Sequence, residues 1–63
     1  MTPEEAKAAG SAAWQGGNFE EAVRLFGVAI DNSVPTEKEF LKLLYSNRSA
    51  AYLKYVTPGY LIF

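Results

Sequence analysis

The chain has 63 residues, six lysines and arginines against seven acids, and neither histidine nor cysteine. A chain this short is one domain that buries only roughly 60% of its unfolded surface. The missing cysteines and histidines exclude a disulfide framework, a thiolate metal site and the usual zinc ligands, and no cofactor is expected. Near-balanced charge disfavours nucleic acid and anionic membrane as partners. No apolar run approaches the ~20 residues of a membrane span, and the acidic N-terminus lacks the basic-then-apolar pattern of a secretory leader. The expectation is a soluble cytoplasmic protein.

Taken in order, Thr2-Pro3-Glu4-Glu5 reads as a helix start. Thr2 can cap, Pro3 brings the φ of a first helical residue, and Glu5 can complete a capping box. The first helix, expected over about 3–16, carries Ala6, Ala9, Gly10 and Ala13 on one face. A glycine inside a helix costs about 1 kcal/mol against alanine, so Gly10 implies close approach by a partner helix. Trp14 is a large anchor near the helix end, and Gly16-Gly17 terminates it.

Asn18, with Glu21 three residues on, reads as the next cap with its reciprocal carboxylate, opening a helix over 18–32. Ala22, Val23, Phe26, Ala29 and Ile30 recur at helical spacing and form one face. Two alanines flanking a bulky phenylalanine suit a helix wedged between two others. Asn32-Ser33-Val34-Pro35 is turn material, and Pro35 pushes Val34 out of helical geometry. Thr36-Glu37-Lys38-Glu39 repeats the capping-box pattern and predicts a third helix over 36–56, with Phe40, Leu41, Leu44, Tyr45, Ala51, Tyr52 and Tyr55 as its apolar positions. Pro58-Gly59 cannot continue it. The prediction is therefore all-α, with a helical domain over 1–55 and an apolar C-terminal tail over 56–63. That tail, Tyr60-Leu61-Ile62-Phe63 at its end, reads either as a cover folded onto exposed core or as a surface for self-association.

The spacings also meet a known pattern. Gly10, Ala13, Ala22, Phe26 and Ala29 stand at the separations of the tetratricopeptide repeat, and Asn18-Phe19-Glu20-Glu21-Ala22 belongs to the same pattern. Leu44 through Lys54, with Tyr45-Ser46-Asn47-Arg48-Ser49-Ala50-Ala51-Tyr52, resembles the first helix of a following repeat in chaperone-binding members of that family. The resemblance covers Glu4 to about Tyr55. Three departures stand beside it. Ala13 occupies a position where the repeat prefers an aromatic. The two repeat starts lie about 39 residues apart against the usual ~34. The second repeat has its first helix only, giving about one and a half repeats.

The resemblance implies a three-helix antiparallel array and a non-enzymatic protein-interaction module. In co-chaperones of this family, groove amides and cations hold the C-terminal carboxylates of a heat-shock chaperone by charge-assisted hydrogen bonds. Carried over by position, the clamp lysine matches Lys7 and its second-repeat asparagine matches Asn47, while Ser11 stands where the first asparagine would be. The clamp is partial, because its remaining cations belong to a third repeat. Each residue also has a plainer reading: Lys7 as a solvated lysine, Asn47 bonded to backbone of a neighbouring helix, Arg48 paired with an acid, and Trp14, Phe26 and the tyrosines as core. Ser11, Ser46 and Ser49 have no histidine to act as base, so nucleophilic catalysis on the usual pattern is not expected. The alternative function is a truncated repeat fragment without peptide binding of its own, stabilised as a homodimer through the outer face of helix three and the tail.

Overall fold

The computed structural model describes residues 1–56, so the apolar tail expected at the C-terminus lies, from residue 57 on, outside the described residues. The fold is all-α, with α1 over Pro3–Gln15, α2 over Phe19–Asn32 and α3 over Lys38–Val56. Among the described residues there is no strand. No helix among them is long and apolar enough to cross a membrane.

Local chemistry sets each boundary. At α1 the Thr2 hydroxyl accepts from the Glu5 backbone N–H at 3.1 Å, and the Glu5 carboxylate accepts from the Thr2 N–H at 2.9 Å. Both halves of the expected capping box are therefore made. At the other end the Gly17 N–H donates to the Trp14 carbonyl at 3.0 Å and the Asn18 N–H to the Ala13 carbonyl at 2.9 Å. This paired arrangement is a Schellman stop, and it requires a left-handed residue, which Gly17 supplies at φ 82°.

The stop explains why the second capping box is only half made. The Asn18 side chain accepts from the Glu21 N–H, at a long 3.4 Å. The Asn18 N–H, which the Glu21 carboxylate would need, is already given to Ala13. Glu21 turns instead to Arg24 and accepts two hydrogen bonds from its guanidinium, at 2.9 and 2.6 Å.

The α2–α3 connection differs from expectation in a similar way. The Glu37 N–H donates to the Val34 carbonyl at 3.1 Å, closing a four-residue turn with Pro35 at its second position. Thr36 is spent inside that turn. The helix opens two residues later than predicted, its first carbonyl acceptor being Glu37, which receives the Leu41 N–H. The same connection is tied to the start of the chain, since the Asn32 side-chain amide donates to the Met1 carbonyl at 3.1 Å. That bond places the end of α2 beside the start of α1, so the two helices run antiparallel.

The middle helix, α2, packs against both others, while α1 and α3 meet each other little. The core is Ala6 from α1, Ala22, Phe26 and Ala29 from α2, and Leu44 and Ala51 from α3. Small residues let the backbones approach, and Phe26 fills the space they leave. Its ring lies so close to Gly10 that a Cβ built there would stand 2.8 Å from the ring edge. The close approach anticipated at Gly10 is thus made by an aromatic ring and not by a second backbone. Leu25, which the periodicity left off the inner face, is buried as well.

α3 contributes little to this core for its length. Of its 19 residues only Leu44 and Ala51, two turns apart, are buried. Tyr45, Tyr52 and Tyr55 are about half exposed, at 51, 54 and 48%, so these tyrosines are surface and not core as the pattern of apolar positions had suggested. Arg48 lies over the Tyr45 ring, 5.3 Å from its centroid, where an acid partner had been expected.

The Gly10–Phe26 contact makes a prediction. Gly10→Ala gains about 1 kcal/mol of helix propensity but overpacks the ring, which costs about 1–3 kcal/mol; denaturant unfolding should show a net loss. Adding Phe26→Leu to Gly10→Ala should cost less than the two single effects summed. Gly17→Ala should lose about 1–2 kcal/mol from its left-handed backbone, while Gly16→Ala, whose Cβ meets only ordinary contacts, should be near neutral.

A second prediction concerns pH. Hydrogen bonds from Arg24, and behind them its charge, hold the Glu21 carboxyl below the ordinary carboxylate range. With the folded pKa below the unfolded one, the contribution is present at neutral pH and is lost as pH falls through the folded value. The pair is exposed, so its share of stability is small and salt-sensitive. Chemical unfolding between neutral and acid pH should show a shallower acid loss in Arg24→Met than in the parent chain.

Candidate functional site

Three helices converge on one pocket of about 190 Å³. α1 lines it with Ser11, Trp14 and Gln15, α2 with Phe26, and α3 with Asn47 and Ala50. Because α1 and α3 barely touch, α2 forms the floor between them, and the deeply buried Phe26 is the residue that closes it from below. One side of the same ring therefore serves the Gly10 contact and another the pocket.

The local reasons for this lining are helical spacings. Ser11, Trp14 and Gln15 are three and four residues apart and share a stripe of α1, as Asn47 and Ala50 do on α3. Trp14 is held by an edge-to-face contact with Phe19, ring centroids 5.2 Å apart and planes at 76°. The Schellman stop fixes that geometry, since it sets the direction in which Phe19 leaves the loop.

Of the three residues singled out by sequence, Ser11 and Asn47 are brought together in this pocket, although 36 positions separate them in the chain. Lys7 does not line it. It lies half-buried one helical turn before Ser11 on the same stripe, at the roughly 5–6 Å Cβ spacing of an i,i+4 pair. Among the described residues neither the Ser11 hydroxyl nor the Asn47 amide has an intramolecular hydrogen-bond partner. Among the described residues the Asn47 side chain makes no hydrogen bond to a neighbouring backbone. Trp14, Gln15 and Ala50 were not foreseen as site residues. The signal was present, for Gln15 follows Ser11 by four and Ala50 follows Asn47 by three.

Chemically the pocket offers a hydroxyl and two primary amides over an aromatic floor and wall. Those groups can donate to a carboxylate or a peptide carbonyl and can pack one apolar side chain. Arg48, although adjacent to Asn47 in sequence, belongs to a different depression with Val23, Tyr45, Ser49 and Tyr52. Among the described residues no cluster of acids could hold a metal ion.

No protein-family model, no curated protein and no solved structure matches this chain. An asparagine inside a helix without an internal partner contributes nothing to the fold that alanine would not. Asn47→Ala should leave thermal unfolding unchanged or stabilise the chain by up to about 0.7 kcal/mol; a loss above about 1 kcal/mol would show that Asn47 has a structural role.

Proposed function

We propose that this chain is a non-enzymatic protein-interaction module of tetratricopeptide type, and that the α1–α3 pocket takes the C-terminal end of an acidic peptide. The observation that carries the reading is the meeting of Ser11 and Asn47, two polar residues without internal partners, in one pocket floored by Phe26. A terminal carboxylate would accept from the Asn47 amide and the Ser11 hydroxyl, with Gln15 as a further donor. Lys7 at the rim would supply the positive charge the pocket itself lacks. The aromatic wall formed by Trp14 suits an apolar side chain near the peptide's end. The heat-shock chaperone C-terminus, implied by the family resemblance, is the most specific partner of this class, and a cytoplasmic location goes with it. With one and a half repeats the clamp has fewer donors than a full one, and weak affinity follows from that count.

The test is an amide NMR titration of the chain with a peptide ending in Glu-Glu-Val-Asp, followed in parallel by Trp14 fluorescence. Saturable shifts centred on Ser11, Trp14 and Asn47 are expected, with loss of binding by roughly tenfold in Asn47→Ala, the size of one charge-assisted hydrogen bond. Amidating the peptide's C-terminus should weaken it similarly. A folded chain whose spectrum ignores the peptide would instead favour a repeat fragment with no peptide binding of its own.

A further inference from the structure

We propose that the trough between α2 and α3 is the interface of a two-fold dimer of this chain. It lies on the flank of α3 opposite the Ser11–Asn47 pocket, shares no residue with it, and does not depend on the reading of that pocket. Val23 of α2 and Tyr45, Arg48, Ser49 and Tyr52 of α3 line one depression. A second, along the start of α2, shares Val23 with it, so the two form one open trough. An exposed apolar surface of this kind, rimmed by charge, is the signature of an interface.

Gly27 points the same way. It sits one turn after Val23 in the interior of α2, where glycine is disfavoured relative to alanine. Its φ is not positive, and a Cβ built on it meets nothing within 4 Å. Neither conformation nor internal packing requires a glycine there. What a bare backbone at an open surface does permit is close approach by a second chain.

Charge selects the second chain and its orientation. From Phe40 to Val56 α3 has Lys42, Arg48 and Lys54 and no acid. α2 presents Glu20 and Asp31, both exposed and, among the described residues, without a partner. Of the charged residues that line the trough, Glu21 and Arg24 pair with each other, which leaves Glu20 on the α2 side and Arg48 on the α3 side, a self-complementary surface. A two-fold axis parallel to the helices lays α2 of one copy over α3 of the other, twice, and brings Glu20 of each copy to the side of the other's Arg48. An axis across the helices would lay α2 on α2 and α3 on α3 and oppose like charges. The first arrangement closes four helices with antiparallel neighbours, the packing of a helix bundle. Tyr45 and Tyr52 become its central aromatic contacts, the residue type that dominates interface energetics.

Sedimentation of the full chain over roughly two decades of concentration tests this. A monomer–dimer equilibrium is expected, shifted at least about tenfold toward monomer by Gly27→Leu and by Tyr52→Glu, with helicity checked by circular dichroism. Arg48→Glu alone and Glu20→Arg alone should each be monomeric at concentrations where the parent chain pairs, and mixing the two should restore a dimer, since every contact then joins opposite charges. A chain that stays monomeric throughout, or forms open-ended assemblies, overturns the proposal. So does a dimer indifferent to Gly27→Leu and Tyr52→Glu, or a mixture of the charge variants that does not pair.

Discussion

The contact on which the rest depends is the ring of Phe26 lying against Gly10. It brings α1 onto α2 at the one place where α1 has no side chain, and it does so with the largest buried group α2 possesses. The other fully buried residues of the core cluster on α1 and α2 are alanines, Ala6, Ala22 and Ala29, and alanines alone bury too little apolar area to hold two helices together. The same ring then forms the base on which α3 and α1 face each other with little direct contact. Removing its bulk would empty the core and the pocket together, because they share a floor. Among the described residues no second core cluster stands by to compensate.

That arrangement assigns α2 and α3 different kinds of sequence. α2 sits between two neighbours, so its apolar residues fall on a broad continuous face, and the helical periodicity is clear. Among the described residues α3 has a neighbour on one side only, yet apolar residues surround it. Leu44 and Ala51 face α2, Ala50 lies toward the pocket flank, and Tyr45 and Tyr52 lie toward the opposite flank. A helix patterned for burial on several sides but buried on one is patterned for more contacts than its own chain, as described, provides.

This asymmetry also decides what could be read without coordinates. Caps and breakers were legible, since Thr2, Pro3, Gly17 and Asn18 act within a few residues and need no tertiary context. The Gly10–Phe26 match was legible in half: the glycine announced close approach, but only the packing angle of α1 on α2 reveals that a ring fills the gap. Competition between local bonds was not legible. The Asn18 N–H can be given once, and the Schellman stop claims it before Glu21 can. Likewise Thr36 could serve a cap or a turn, and Pro35 with the Val34–Glu37 bond settles it for the turn. The three tyrosines of α3 failed for a different reason. Period alone says that residues share a face, and says nothing of whether that face has a neighbour.

The pairing of Ser11 with Asn47 came from a resemblance, but its physical basis is independent of it. Two helices that each pack on a third, and little on each other, must leave a gap above the shared neighbour, lined by the stripes that face across it. Position 11 on α1 and position 47 on α3 are on those stripes, and polar residues there, only partly buried, avoid the full cost of desolvation. A chain selected only for a closed core would fill such positions with leucine and draw α1 and α3 together. Here a serine, a glutamine and an asparagine keep them apart. The polar lining is therefore the feature of the fold least explained by stability, and for that reason it is the one most naturally explained by something bound from outside.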